Sequence, residues 1–120
     1  MLQLRERNDR IMAGDKSGWI KNLLAEVRQH IQADKYRLSD HVMERLGQRS
    51  LELSDLMFVL LNGIHEEKMT QFDTKRQAWK YAIRGKTLEG IELRAVVSFD
   101  GYMIVITVIR LVKVRRRNEK

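Results

Sequence analysis

The 120-residue chain contains no cysteine and no proline. Without cysteine it forms no disulfide, no thiolate nucleophile and no cysteine zinc site, and this absence fits a reducing cytoplasm. Its three histidines, His30, His41 and His65, are far apart, and no two have the spacing of metal ligands on one element. P-loop, G-x-S-x-G and dinucleotide-binding patterns are also missing. We therefore expect neither a metal site nor a cofactor.

Long hydrophobic runs are absent as well. No segment approaches the roughly 20 apolar residues that cross a bilayer. The beginning of the chain, MLQLRERNDR, lacks the apolar stretch of a secretory signal, so we expect a cytoplasmic protein that does not enter a membrane. Hydrophobic residues still make up 43% of the chain, enough for a core. We predict a charged N-terminal segment (1–16), one domain (17–112) and a basic tail (113–120).

Acidic residues are too few to balance the basic ones. Lys and Arg number 23 against 16 Asp and Glu, so the net charge is +7. Such an excess favours a polyanionic partner such as RNA. From Arg110 onward the chain has six cationic residues and one acidic residue, Glu119. Arg115 and Arg116 in this segment are candidate phosphate contacts. A solvated tail that only aids solubility is an equally good interpretation.

The hydrophobic periodicity is helical in the first half of the chain. It predicts helices over residues 17–31, 39–47 and 54–63, each beginning at a serine that can cap its first turn: Ser17, Ser39 and Ser54. Gly47 and Gly63 are positioned to end the second and third helices. The third helix is apolar over most of its circumference, so we expect it to be the most deeply buried.

After residue 63 the period becomes two, which predicts strands over residues 65–73, 78–85, 90–100 and 102–112. The Asp100–Gly101 pair is a strong hairpin signal between the last two. The expected fold is therefore α+β: two to three N-terminal helices packed on an antiparallel meander sheet of about four strands. Trp19 and Trp79 have apolar neighbours, and we expect both in the core.

One motif spans the second helix and the last strand: Ser39, His41, Val42, Arg45, Leu46 and Arg49, followed by Thr107 within Ile-Thr-Val. This order resembles a family of small bacterial proteins known only as a domain of unknown function, related to the RelE- and MqsR-type ribonuclease toxins of the barnase–EndoU–colicin–RelE grouping. The resemblance covers residues 36–111. It implies a RelE-like fold, metal-independent endoribonuclease activity, and pairing with an antitoxin of zinc-finger or helix-turn-helix type.

The same residues suit metal-free RNA cleavage, which needs a base, an acid and cations on the phosphate. His41 and Arg45 are four residues apart and share one helix face, and Arg49 extends this row if the helix continues. Histidine transfers protons near neutral pH, and arginine binds two phosphate oxygens at once. We expect His41 and Arg45 to act in catalysis, and the resemblance adds Thr107. The alternative is an ordinary polar surface stripe.

Lys80 and Arg84 share one face of a predicted strand and are further candidate phosphate contacts, although a solvated sheet face would look the same. The leading hypothesis is thus a toxin-like endoribonuclease. A non-catalytic nucleic-acid-binding module, or a protein-interaction module that binds an acidic partner, remains an alternative. Salt-sensitive RNA binding without cleavage would indicate the former, and an antitoxin would itself be an acidic partner.

Overall fold

The computed structural model describes residues 18–48 and 51–111. Within these ranges it contains three α-helices and six strands. In chain order they are α1 (Leu23–Gln32), β1 (Tyr36–Leu38), α2 (Asp40–Gln48), α3 (Leu53–Asn62), β2 (Ile64–His65), β3 (Gln71–Asp73), β4 (Ala78–Lys86), β5 (Glu92–Asp100) and β6 (Tyr102–Arg110), with a 3₁₀ turn (Glu67–Met69) between β2 and β3. The predicted α+β class is confirmed. None of the described helices is long and apolar enough to cross a membrane. The predicted segments 1–16 and 113–120 lie outside the described residues.

The sheet is larger than predicted and mixed rather than antiparallel. Its strand order is β1-β6-β5-β4-β2, with β3 also paired to β4, and β1 runs parallel to β6. The antiparallel succession β4-β5-β6 is as predicted. Strand β1 was missed because three residues are too few to show an alternating pattern.

The predicted strand over residues 65–73 is interrupted, which accounts for another of the extra strands. Between β2 and β3 the 3₁₀ turn leaves the edge of β4, and a side chain replaces the missing backbone partner. The Ala82 N–H donates to the Thr70 hydroxyl (3.0 Å), and the Ala82 carbonyl accepts the Glu66 N–H (2.8 Å). Both backbone groups of Ala82 are therefore satisfied without a continuous strand.

All three helices pack on one face of the sheet. The core consists of apolar side chains from the helices and from the strand positions that point toward them. The helices contribute Leu23, Val27, Val42, Leu46, Leu56, Val59 and Leu60, and the strands contribute Tyr81, Ile83, Leu93, Ala95, Val97, Met103, Val105 and Val108. We call the opposite side the helix-free face, because no described helix covers it. Alternation places on it the side chains of Lys80, Ala82, Arg84, Arg94, Val96, Thr107 and Ile109.

The helix ends follow the predictions in part. Helix α3 ends at Asn62, as the Asn-Gly signal predicted, but it begins at Leu53 rather than at Ser54. The cap is Glu52, whose N–H donates to the Asp55 carboxylate at 2.9 Å. Helix α1 begins at Leu23 with Asn22 as its cap, and Ser17 lies outside the described residues.

Candidate functional site

Ser39 fixes the start of α2 against β6. Its N–H donates to the Val105 carbonyl (3.0 Å) and its hydroxyl donates to the Ile106 carbonyl (2.8 Å). The same hydroxyl accepts the Val42 N–H (3.1 Å), which is the N-cap bond that the sequence predicted. Because the Ile106 carbonyl belongs to the peptide that links Ile106 to Thr107, the first turn of α2 lies beside Thr107.

A β-bulge in β6 determines where Thr107 points. Val97 pairs with Val105 and Val96 pairs with Thr107, so Ile106 is an extra residue in β6. Val105 and Val108 both face the core, and Thr107 lies on the helix-free face. It stands in a row with Val96 and Ala82 on the neighbouring strands. With about 4.8 Å between strands, the Cα atoms of Thr107 and Ala82 are about 10 Å apart.

His41 and Arg45 lie on the outer side of α2. Val42 and Leu46 are buried in the core, His41 is exposed and Arg45 is partly exposed. The spacing of four residues places both on one side of the helix, as predicted. Helix α2 continues through Gly47 to Gln48, as the prediction for Arg49 requires. Arg49 itself lies outside the described residues.

The predicted site residues therefore form two groups. Lys80, Arg84 and Thr107 share the helix-free face, whereas His41 and Arg45 belong to a helix that packs on the opposite face. The Ser39 hydrogen bonds connect the groups, because they place the N-terminal turn of α2 at the edge where Thr107 lies. Arg115 and Arg116 lie outside the described residues.

An ion-pair network on the helix-free face was not predicted. Arg94 binds both carboxylate oxygens of Glu66, through Nε (2.6 Å) and Nη2 (3.1 Å). Arg84 donates from Nη1 to Glu66 (3.3 Å) and from Nε to Glu92 (2.9 Å). Arg94 and Glu66 keep only 17% and 16% of their side-chain surfaces exposed, against 40% for Arg84. Glu92 keeps 19% exposed, so three of the four side chains in this network are largely withdrawn from solvent.

The network shifts the pKa values of its members. The hydrogen bond from Arg94, followed by that from Arg84, lowers the pKa of Glu66, while partial burial opposes the shift. The bond to Glu66 raises the pKa of Arg94. The bond to Glu92, followed by that to Glu66, raises the pKa of Arg84. Glu66, Arg84 and Arg94 are therefore held in their charged forms, and Arg84 meets a phosphate only in competition with two carboxylates.

A signal for this network was present in the sequence. Arg84 and Arg94 are directly opposite in the β4–β5 pair, and like charges in that position repel unless a carboxylate lies between them. This register follows from the turn at residues 87–91 in the structure, one residue later than the turn over residues 86–90 that the sequence predicts. Glu66 was missed because we placed Glu66 and Glu67 in a continuous strand, where they would alternate faces.

His65 is a second group that the sequence did not single out. Its Nε2 lies 3.0 Å from the Thr70 hydroxyl, and its ring lies beside Tyr81 (centroids 5.8 Å apart). Burial lowers the pKa of His65, and nearby Glu67 acts in the opposite direction. His65 is therefore biased toward its neutral form, and it faces the helix side of β4, away from Thr107.

The two tryptophans differ in how deeply they are buried. Trp79 packs against the core, as predicted, but Trp19 keeps 37% of its surface exposed, so the core prediction is wrong for Trp19. The sequence around Trp19 contains apolar residues, but it does not reveal that this residue precedes α1 in an irregular segment rather than lying on the buried side of the helix.

Among residues 18–48 and 51–111 no group of three or more His, Asp or Glu side chains could hold a metal ion. No curated protein and no solved structure matches the chain. A protein-family model described as a domain of unknown function (DUF4258) matches residues 38–110, which is more than half of the chain, and the protein therefore belongs to this family.

Proposed function

We propose that the protein is a metal-independent endoribonuclease of the toxin type, with a RelE-like fold and a distant relationship to the RelE and MqsR toxins. One observation supports this most directly. Ser39 bonds to the peptide before Thr107, so that the turn carrying His41 lies at the edge of a sheet face that bears Lys80 and Arg84. A proton-transferring group, a hydroxyl and cations are thereby available around one edge.

In the proposed reaction an RNA 2′-hydroxyl loses its proton to a base and its oxygen attacks the adjacent phosphorus. The O2′–P bond forms, the P–O5′ bond breaks, and the departing 5′-oxygen takes up a proton. The products are a 2′,3′-cyclic phosphate and a 5′-hydroxyl. We assign the proton transfer to His41. Arg45 binds the non-bridging phosphate oxygens, and Thr107 donates a hydrogen bond that orients the phosphate.

Charge supports an RNA ligand. The net charge of +7 favours a polyanion at ordinary ionic strength. Lys80, which has no part in the hydrogen bonds of the Glu66 network, shares its face with Thr107. Arg49, Arg115 and Arg116 remain candidate phosphate contacts on sequence grounds.

The test is cleavage of single-stranded RNA by purified protein in excess chelator, with the product ends analysed for the cyclic phosphate. His41→Ala should lower the rate about 10²- to 10⁴-fold, the usual contribution of a general acid or base. Arg45→Ala should lower it roughly 10- to 100-fold, as expected for a charged hydrogen bond. Glu44→Gln, an exposed change on the same helix, is the matched control and should leave the rate unchanged.

Wild-type protein that cuts no RNA under these conditions would remove the enzymatic proposal. Cleavage that survives both substitutions on α2 would instead remove the assignment of the site. Induced expression in bacteria gives a parallel test, since a toxin should arrest growth and His41→Ala should relieve the arrest.

A non-catalytic RNA-binding module is the second candidate, and the ion pairs favour it. Arg84 and Arg94 share the helix-free face with Thr107, and both already contact carboxylates, so neither is free to stabilise a transition state. Such a module would bind RNA with strong salt dependence, would not cut it, and would be indifferent to His41→Ala. In either case we propose an antitoxin of zinc-finger or helix-turn-helix type as the protein partner, which co-purification with the neighbouring gene product would test.

A further inference from the structure

Trp19 is an exposed ring in a cluster of aromatic side chains. Its centroid lies 4.6 Å from that of Trp79, 5.4 Å from that of His65 and 5.6 Å from that of Tyr81. Phe72 extends the cluster at 5.3 Å from Trp79 in an edge-to-face contact. These contacts hold one part of the indole, yet 37% of the residue remains exposed. A large apolar ring with this exposure is more typical of a contact surface than of a core.

The backbone on both sides of Trp19 is fixed by one buried hydroxyl. The Tyr81 hydroxyl accepts the Ile20 N–H and donates to the Gly18 carbonyl, each at 2.9 Å. Tyr81 is only 1% exposed. Gly18 has φ +92°, a conformation that side chains disfavour, and this lets the segment turn into the hydroxyl. Trp19 is therefore held in place before any ligand arrives, which lowers the entropic cost of binding.

Cations are close to this cluster in the chain. Lys21 is exposed two residues after Trp19, and the β3–β4 turn presents Lys75 and Arg76. The Asp73 carboxylate accepts the N–H groups of Lys75 (3.0 Å) and Arg76 (3.2 Å) and so fixes that turn. The segments that carry the rings thus contain three cations, Lys21, Lys75 and Arg76, against Asp73 and Glu67. Positive charge next to exposed rings is the combination that binds unpaired nucleotides.

A small cavity of about 130 Å³ opens beside Trp79, and its lining includes Gly18, Gln77, Ala78 and Phe99. Pockets that enclose a complete ligand measure roughly 300 Å³ or more. This cavity is therefore too small to enclose a complete ligand on its own.

We propose that Trp19, with Trp79 behind it and with Lys75 and Arg76 in the adjoining β3–β4 turn, is a subsite that stacks on an unpaired base of single-stranded RNA. The proposal rests on the proposed function for the identity of its ligand and adds the substrate class: single strands, held by base stacking away from the Thr107 edge. The helix side of β4 carries this subsite, and the β3–β4 turn connects it to Lys80 on the helix-free face.

The test uses a short 2′-O-methyl oligouridylate, which lacks the hydroxyl needed for cleavage, so that binding is measured separately from activity. The two indole N–H resonances in ¹⁵N–¹H spectra of the full chain are assigned with Trp19→Phe. The oligonucleotide should shift the Trp19 resonance, whereas inorganic polyphosphate, which has charge but no bases, should not. Trp19→Ala should weaken binding about 5- to 100-fold, the range for loss of one stacked base. Leu88→Ala, an exposed apolar truncation elsewhere, should not change it.

Each result bears on the proposal separately from cleavage. Binding of the oligonucleotide without a Trp19 shift, or with unchanged affinity in Trp19→Ala, overturns the subsite even if the protein cuts RNA. A Trp19 shift in a protein that cuts no RNA supports the subsite and overturns only the enzymatic function. A Trp19 resonance that moves with protein concentration alone identifies a contact between copies of the chain and also overturns the subsite. A cooperative unfolding transition retained in Trp19→Ala verifies the fold.

Discussion

Glu66 offers the sharpest test of how the helix-free face is held together. The change Glu66→Gln removes the charge that lies between Arg84 and Arg94, which are directly opposite on β4 and β5. The Arg94 pair is mostly buried and bidentate, so its loss should cost about 2 kcal/mol, toward the lower part of the range for bonds between charged groups because glutamine keeps one acceptor oxygen. The Arg84 contact is 40% exposed on the arginine side and should add little to this loss.

The lowered pKa of Glu66 determines how its contribution to stability changes with pH. The folded-state pKa of Glu66 is lowered, mainly by the hydrogen bond from Arg94, so its contribution is complete above the unfolded pKa of roughly 4.3. It is lost as the pH falls through the lower folded-state value. Wild type should therefore exceed Glu66→Gln in stability at pH 7, and the two should converge in strong acid, where the wild-type carboxyl is also neutral.

The assay is urea unfolding at pH 7 and at several acidic values, with Glu67→Gln as the matched control because Glu67 is exposed and adjacent. At pH 7 the loss of about 2 kcal/mol corresponds to a fall in Tm of roughly 8 °C for a chain of this size. Equal stability of Glu66→Gln and Glu67→Gln at pH 7 would refute the reasoning, and so would a difference that persists unchanged into acid.

Unfolding measurements on two further substitutions, each with a control, test the backbone contacts made by Ser39 and Gly63. Ser39→Ala removes the N-cap and the bond to the Ile106 carbonyl and should cost about 2 kcal/mol, whereas Ser54→Ala should cost almost nothing because Ser54 does not cap α3. Equal losses from the two would contradict the role of Ser39. Gly63→Ala should cost about 3 kcal/mol or more, because its Cβ would lie 2.6 Å from the Arg84 carbonyl oxygen. Gly47→Ala, in open space within α2, should instead stabilise by about 0.5–1 kcal/mol, and opposite signs for these two glycines are the required result.

Local chemistry made part of the fold predictable. The α2 cap at Ser39, the end of α3 at Asn62 and the β5–β6 hairpin depend on residues adjacent in sequence, and the structure confirms all three. Strand β1 and the break after β2 depend on partners far along the chain. The Thr70 hydroxyl that satisfies Ala82 is 12 residues away, and no periodic pattern encodes that bond.

In the candidate site, too, only the features that depend on local sequence could be predicted. The exposed sides of His41 and Arg45 follow from helical spacing, and the shared face of Lys80 and Arg84 follows from alternation. The position of Glu66 between Arg84 and Arg94 does not, because it requires the break in the predicted strand over residues 65–73. Trp19 was misassigned for a related reason, since its surroundings are set by the distant Tyr81 hydroxyl.

The β6 bulge explains why Thr107 was the hardest residue to place. In a regular strand Val105 and Thr107 would share a face, so Thr107 would be buried and Val108 would point away from the helices. The extra residue Ile106 reverses this phase, and Val108 is accordingly only 2% exposed. The reversal is almost invisible in a sequence where both faces of β6 are apolar. The residue that creates it also supplies the carbonyl that Ser39 binds, so one irregularity both turns Thr107 outward and anchors α2 beside it. A regular β6 would bury Thr107 on the helix side, away from Lys80 and Arg84, and the bulge is therefore a requirement of the proposed site.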